Sequence, residues 1–130
     1  MKTWLEQYSD DAYALLRIVA GLMFLFHGVQ KIFGVVTEPE HIPQFGSQIW
    51  IGGIIELVGG LFVMLGFRTR ISAFLCSGMM AVAYVQFHWM LQLDSKFFPA
   101  INQGEMALLY SFVFLLIACR GAGRWSVDPD

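Results

Sequence analysis

Between Leu15 and Phe33 the chain reads LLRIVAGLMFLFHGVQKIF, an apolar run of membrane-crossing length that carries Arg17, His27, Gln30 and Lys31 inside it. A helix satisfies every backbone N–H and C=O within such a segment, as hydrocarbon demands. Polar side chains at that depth must face protein or water rather than lipid. Steps of four and three residues put Arg17, Gly21, Phe24, Gly28 and Lys31 on one stripe, with His27 beside it. That stripe is the expected inward face of the first helix.

The remainder of the chain answers to the same solvent. A mean hydropathy of +0.61 with 14% charged residues leaves too little polar surface to cover a soluble globule. Apolar segments of membrane length fall at about 12–34, 50–67, 71–90 and 104–119, the second and fourth at the short end of the spanning range, roughly 17 residues. The expected fold is therefore an all-α membrane protein, a four-helix transmembrane bundle forming one domain over residues 1–130. Glu6, Asp10 and Asp11 occupy the place where a signal peptide carries basic residues, so the first helix is expected to stay. A net charge of −2 and the lack of a basic stretch point away from nucleic acid; the partner expected from composition is the lipid bilayer.

Lys2, Arg68, Arg70, Arg120 and Arg124 fall on the side shared by the two termini and the middle turn, and only Lys96 and Lys31 fall opposite. The positive-inside rule then makes both termini cytoplasmic. Trp4 and Trp125 mark the inner interface and Trp50 and Trp89 the outer one. The outer segment Val35–Ile49, with Pro39, Pro43 and His41, is too polar and proline-broken to prolong the first helix, and is long enough to serve as a lid.

The second helix is rich in glycine, which costs helix propensity and allows close backbone approach in lipid. Four-three steps align Gly52, Glu56, Gly59, Val63 and Gly66, turning the carboxylate toward the interior. In the third helix Ser77, Ala81, Tyr84 and His88 share a stripe, and Gln86 points nearly opposite. Glu105 in the first turn of the fourth helix suits the helix dipole as well as a site. Cys76 and Cys119 lack C-x-x-C spacing and read as packing thiols.

At ~1.5 Å per residue, His27, Glu56 and His88 lie about 8–10 Å below the outer ends of their helices, with Lys31 and Glu105 nearer the rim. Charges buried in a membrane are costly unless paired, and Lys31 with Glu56 is the expected ion pair. Arg17 has no carboxylate at its depth and is expected to snorkel inward or reach toward Glu56. The cluster either fixes helix register or forms a binding or proton-handling pocket in the outer third of the bundle.

The runs L-L-R-I and H-G-V-Q-K-I-F-G, then E-L-V-G-G, L-G-F-R-T-R, a late histidine in the third helix and G-E opening the fourth, together resemble the DoxX family over about residues 14–126. The resemblance implies a bacterial or archaeal inner-membrane protein whose relatives include membrane subunits of a thiosulfate:quinone oxidoreductase and of other membrane-bound oxidoreductase complexes. It also maps the family's polar positions onto Arg17, His27, Lys31, Glu56, Arg70, His88 and Glu105. The chain has no dinucleotide fingerprint, iron–sulfur spacing or c-type haem motif. The expectation is thus no intrinsic cofactor, with a quinone in the outer pocket or a centre on a partner subunit carrying the electrons. For a quinone, His27, His88 and Lys31 would bond ring carbonyls, Glu56 would handle the proton, and Phe24 and Tyr84 would flank the ring. The alternatives are a b-type haem on His27 and His88, a metal held by those two with Glu56 and Glu105, a transporter or channel for a small polar or sulfur compound, and a non-catalytic partner or assembly factor.

Overall fold

The structure is a computed structural model that describes residues 3–129; Lys2 lies outside the described residues. Among those residues the fold is helical without strands. A 3-10 turn, Glu6–Tyr8, leads into α1, Ser9–Phe33, which stops where Gly34 takes a left-handed conformation (φ 65°). The second helix, α2 (Gln48–Leu65), starts at Ser47, whose Oγ accepts from the Trp50 N–H at 3.2 Å, and ends at Gly66 (φ 68°), so glycine is needed at both stops. Next, α3 (Thr69–Ala83) continues into a π-helical segment, Tyr84–Trp89. A one-turn helix, α4 (Pro99–Asn102), then precedes α5 (Glu105–Arg120). Glu6–Phe33, Gln48–Leu65 and Thr69–Trp89 are long and apolar enough to cross a membrane. The last helix, with 16 residues, is about 24 Å long. Leu15, Leu22, Phe26, Phe74, Leu75, Leu109 and Phe112 are exposed, a surface that suits lipid and not water.

The helices form two antiparallel pairs, α1 with α2 and α3 with α5. In the first pair the backbones touch: a Cβ on Gly21 would overlap Met64, one on Gly28 would overlap Leu57, and one on Gly60 would overlap Leu25. Substituting any of them must push the helices apart. The glycine face expected on α2 is thereby divided. Gly53, Glu56 and Gly60 are buried, with Gly53 and Gly60 set against α1, while Gly59 abuts the Cys76 sulfur of α3. In the second pair the Ser77 hydroxyl donates to the Ser111 carbonyl at 2.6 Å. Phe24 joins the pairs by packing on Phe114, ring centroids 4.7 Å apart.

At the end that carries both termini, the segment after α5 folds back across the helix ends. Arg17 is fully buried, and its guanidinium donates to five carbonyls: Val63 (2.9 Å) and Met64 (2.8 Å) in the last turn of α2, and Ala122 (2.7 Å), Arg124 (2.9 Å) and Trp125 (2.7 Å) in the tail. The expectation that Arg17 snorkels or reaches Glu56 is corrected. Carbonyls at a helix C-terminus are unpaired and electronegative, so they hold the cation without a carboxylate. Arg70 of α3 does the same for α5, donating to the carbonyls of Ala118, Cys119 and Arg120. The tail is fastened further by Tyr13 Oη donating to the Gly121 carbonyl, by Asp10 with Arg120 and Asp11 with Arg124, and by Asp128. The Asp128 carboxylate accepts from the backbone N–H groups of Arg68 and Thr69, both at 2.8 Å, and from the Thr69 hydroxyl at 2.7 Å. It supplies the N-terminal cap that Arg68 does not give α3.

A candidate ligand-binding cleft

Away from the tail, a cleft of about 690 Å³ lies between the two helix pairs. Phe24, His27 and Lys31 of α1, Glu56 of α2, His88 beyond α3, and Tyr110 of α5 line it together with apolar side chains. Ile51 of α2 and Phe74, Leu75 and Val82 of α3, all lining residues, are exposed on the flank of the bundle. The polar interior is thus bordered by an apolar, lipid-facing wall. Gln48 lines its loop end and pairs with Gln86 of the π-helical segment at 2.6 and 3.2 Å.

Its electrostatic centre is the pair expected from the sequence. Lys31 Nζ donates to Glu56 Oε1 at 2.7 Å, with the lysine side chain 32% and the glutamate side chain 5% exposed. Each charge offsets the desolvation of the other. Glu56 Oε2 and the Tyr110 hydroxyl are buried and have no hydrogen-bond partner among the described residues. Tyr110 rests 5.7 Å from the Phe24 ring and stacks on Phe114 at 5.6 Å, which gives the cleft an aromatic side.

Of the residues singled out in the sequence, the cleft gathers Phe24, His27, Lys31, Glu56 and His88. His27 is exposed, and His88 Nδ1 stands 3.4 Å from the Asn102 carbonyl. Three others lie elsewhere. Arg17 holds the tail, as described. Tyr84 is buried against Gly104, where its hydroxyl accepts from Asn102 Nδ2 at 3.2 Å, so it does not flank a ring in the cleft. Glu105 is exposed in the first turn of α5, where the dipole accounts for it. Residues 35–47 contribute no lining side chain, so the lid expected over residues 35–49 is reduced to Gln48 and Ile49.

Two features escaped the sequence reading. Tyr110 looks like one more apolar position in a hydrophobic helix, and only its unpartnered hydroxyl distinguishes it. Gln86, expected to point nearly opposite to the Ser77–His88 stripe, is exposed and outside the cleft lining; what the sequence did not mark is the π-helical segment that carries it, with i to i+5 bonding, and its pairing with Gln48.

The family model described as DoxX matches residues 12–89, a stretch that contains every charged or imidazole side chain of the cleft. An uncharacterized protein of Haemophilus influenzae is 38% identical over 95% of this chain and 93% of its own length. Inner membrane protein YqjF of Escherichia coli is 28% identical over 95% of each chain. A Bacillus subtilis protein named "Putative oxidoreductase CatD" is 25% identical over 88% of this chain and 83% of its own. No solved structure matches the chain.

Proposed function

The chain belongs to the DoxX family of membrane proteins, and from that footing we propose that it is the quinone-binding membrane component of an oxidoreductase system. The observation that carries this reading is the Lys31–Glu56 pair standing inside a cleft whose exposed wall is apolar. A quinone has that polarity: a flat ring with polar oxygens and a hydrocarbon tail. Its head would enter between α2 and α3 while the tail stays among the lipids beside Ile51, Phe74 and Val82. Lys31, His27, His88 and Tyr110 offer N–H and O–H groups to ring oxygens, and Phe24 packs on the ring. When bound, the quinone supplies the two-electron chemistry; this chain binds and orients it. A redox centre on a partner subunit exchanges the electrons. The word oxidoreductase in the name of CatD agrees with such a setting.

In this reading α5 is the fourth span. It is shorter than the ~30 Å hydrocarbon layer, a mismatch met by local thinning of the bilayer. Arg68, Arg70, Arg120 and Arg124 share the end that holds the termini, and this basic end supports a cytoplasmic orientation for it. Residence in the inner membrane matches the name of YqjF.

Photolabelling tests the site. With the purified protein in lipid nanodiscs, an azido-ubiquinone analogue should label residues 48–56 and 74–88, and excess unlabelled ubiquinone should suppress the labelling. Label spread over outward residues such as Leu109 and Phe112, insensitive to competitor, would reject it.

A further inference from the structure

We propose, resting on the quinone-site reading, that the cleft is built for the reduced, hydroxyl-bearing form of its ligand, an aromatic diol or quinol, in preference to the quinone. The inference comes from the two buried side-chain atoms without partners among the described residues, Glu56 Oε2 and the Tyr110 hydroxyl, which both belong to side chains lining this cleft. Glu56 is 4% and Tyr110 6% exposed. Unsatisfied polar atoms are not a habit of this fold. Buried Arg17 places all its donors on carbonyls, and the buried hydroxyls of Ser77, Thr69 and Tyr13 are bonded. Two orphans in one cleft mark the place where a ligand completes the hydrogen bonding.

The chemistry of the two atoms defines the ligand. Glu56, paired through Oε1 with an ammonium, is a carboxylate, and its other oxygen only accepts. A quinone oxygen also only accepts, so it can take the Tyr110 O–H but cannot satisfy Glu56 Oε2. A hydroxyl serves either kind of atom, donating to an acceptor such as Glu56 Oε2 and accepting from a donor such as the Tyr110 O–H. The first of these is a charge-assisted hydrogen bond, the stronger class. The aromatic side formed by Phe24 and Tyr110 favours a ring bearing that hydroxyl over an aliphatic alcohol. Only binding is assigned to these residues; no electron transfer is routed through them.

Isothermal titration calorimetry on the full chain in detergent, kept anaerobic, separates the outcomes. The titrants are decyl-ubiquinol, decyl-ubiquinone, the dimethyl ether of the quinol, and decanol. The quinol should bind tightest, by about ten- to a hundred-fold over the quinone, the range expected of one charge-assisted hydrogen bond. The ether and decanol should bind weakly. Glu56→Gln should abolish the preference, because an amide N–H can serve a quinone carbonyl, while Tyr110→Phe should weaken both redox forms. Quinone binding as tight as quinol binding, or a preference unchanged in Glu56→Gln, would overturn the inference and leave the quinone site standing. Decanol binding as tightly as the quinol would overturn the aromatic assignment in favour of a lipid hydroxyl. Binding of neither redox form would overturn the proposed function itself. The four titrations of the unsubstituted chain decide the matter even where a variant fails to fold.

Discussion

Lys31 keeps its end partly in contact with solvent while Glu56 is almost wholly enclosed, so removing one partner harms the protein unequally. Lys31→Met strands a carboxylate in the bundle and should cost about 1–3 kcal/mol, less than a fully buried pair loses because water reaches the site from the lysine side. Lys31→Met with Glu56→Gln removes both charges and should recover much of that loss, giving a coupling of about 1 kcal/mol or more in thermal unfolding. Strictly additive losses would remove the ion pair from the account of stability. The pair was legible in the sequence because charges inside apolar helices must meet, and these two lie on inward stripes in the outer third of their helices. Arg17 shows where such logic stops. The search for a carboxylate failed because the cation is answered by carbonyls, which every residue carries and no sequence marks.

Helices α1, α2 and α5, and α3 taken together with its π-helical continuation to Trp89, were readable from hydropathy, and their ends from Gly34, Gly66 and the polar turns, to within three residues. Their pairing was readable only as a wealth of glycine. Which glycine meets which neighbour depends on rotation about the helix axis, and α2 divides its glycines between α1 and α3. The π-helical segment was not readable at all, since YVQFHW carries no residue that forbids an α-helix. The cap of α3 was equally hidden, because Asp128 lies 59 residues from the Thr69 amide it binds. Hydrogen bonds from the Thr69 backbone and hydroxyl hold the Asp128 carboxyl below the usual carboxylate range. A depressed value in the folded state means that the cap's contribution is complete above the unfolded value, near 4, and is lost as pH falls through the folded one. Asp128→Ala should therefore lower stability by about 1 kcal/mol at neutral pH. Melting curves of the two proteins should begin to converge as the pH drops below about 4. A constant gap across that range would show that the carboxylate charge plays no part.

On the scale of the whole molecule, the basic side chains Arg68, Arg70, Arg120 and Arg124 sit at one end of the bundle and the cleft lies toward the other. The proposed orientation, with that basic end in the cytoplasm, would put the cleft nearer the external leaflet. A reporter fused after Asp130 should read cytoplasmic and one inserted near Glu38 external. The opposite pattern would turn the cleft toward the cytoplasm and change which partners can reach it. Two helix pairs, each with an arginine of its first helix on the closing carbonyls of its second, give the bundle a repeated plan. The first of those arginines also sets a constraint in time. Arg17 leaves the ribosome about a hundred residues ahead of Ala122, Arg124 and Trp125, the tail carbonyls it holds. During synthesis α1 thus enters the membrane with a guanidinium whose final partners do not yet exist. A chain interrupted before Ala122 leaves that cation with the Val63 and Met64 carbonyls alone, an incompleteness open to cellular quality control, and the structure closes only once the segment after α5 has been translated.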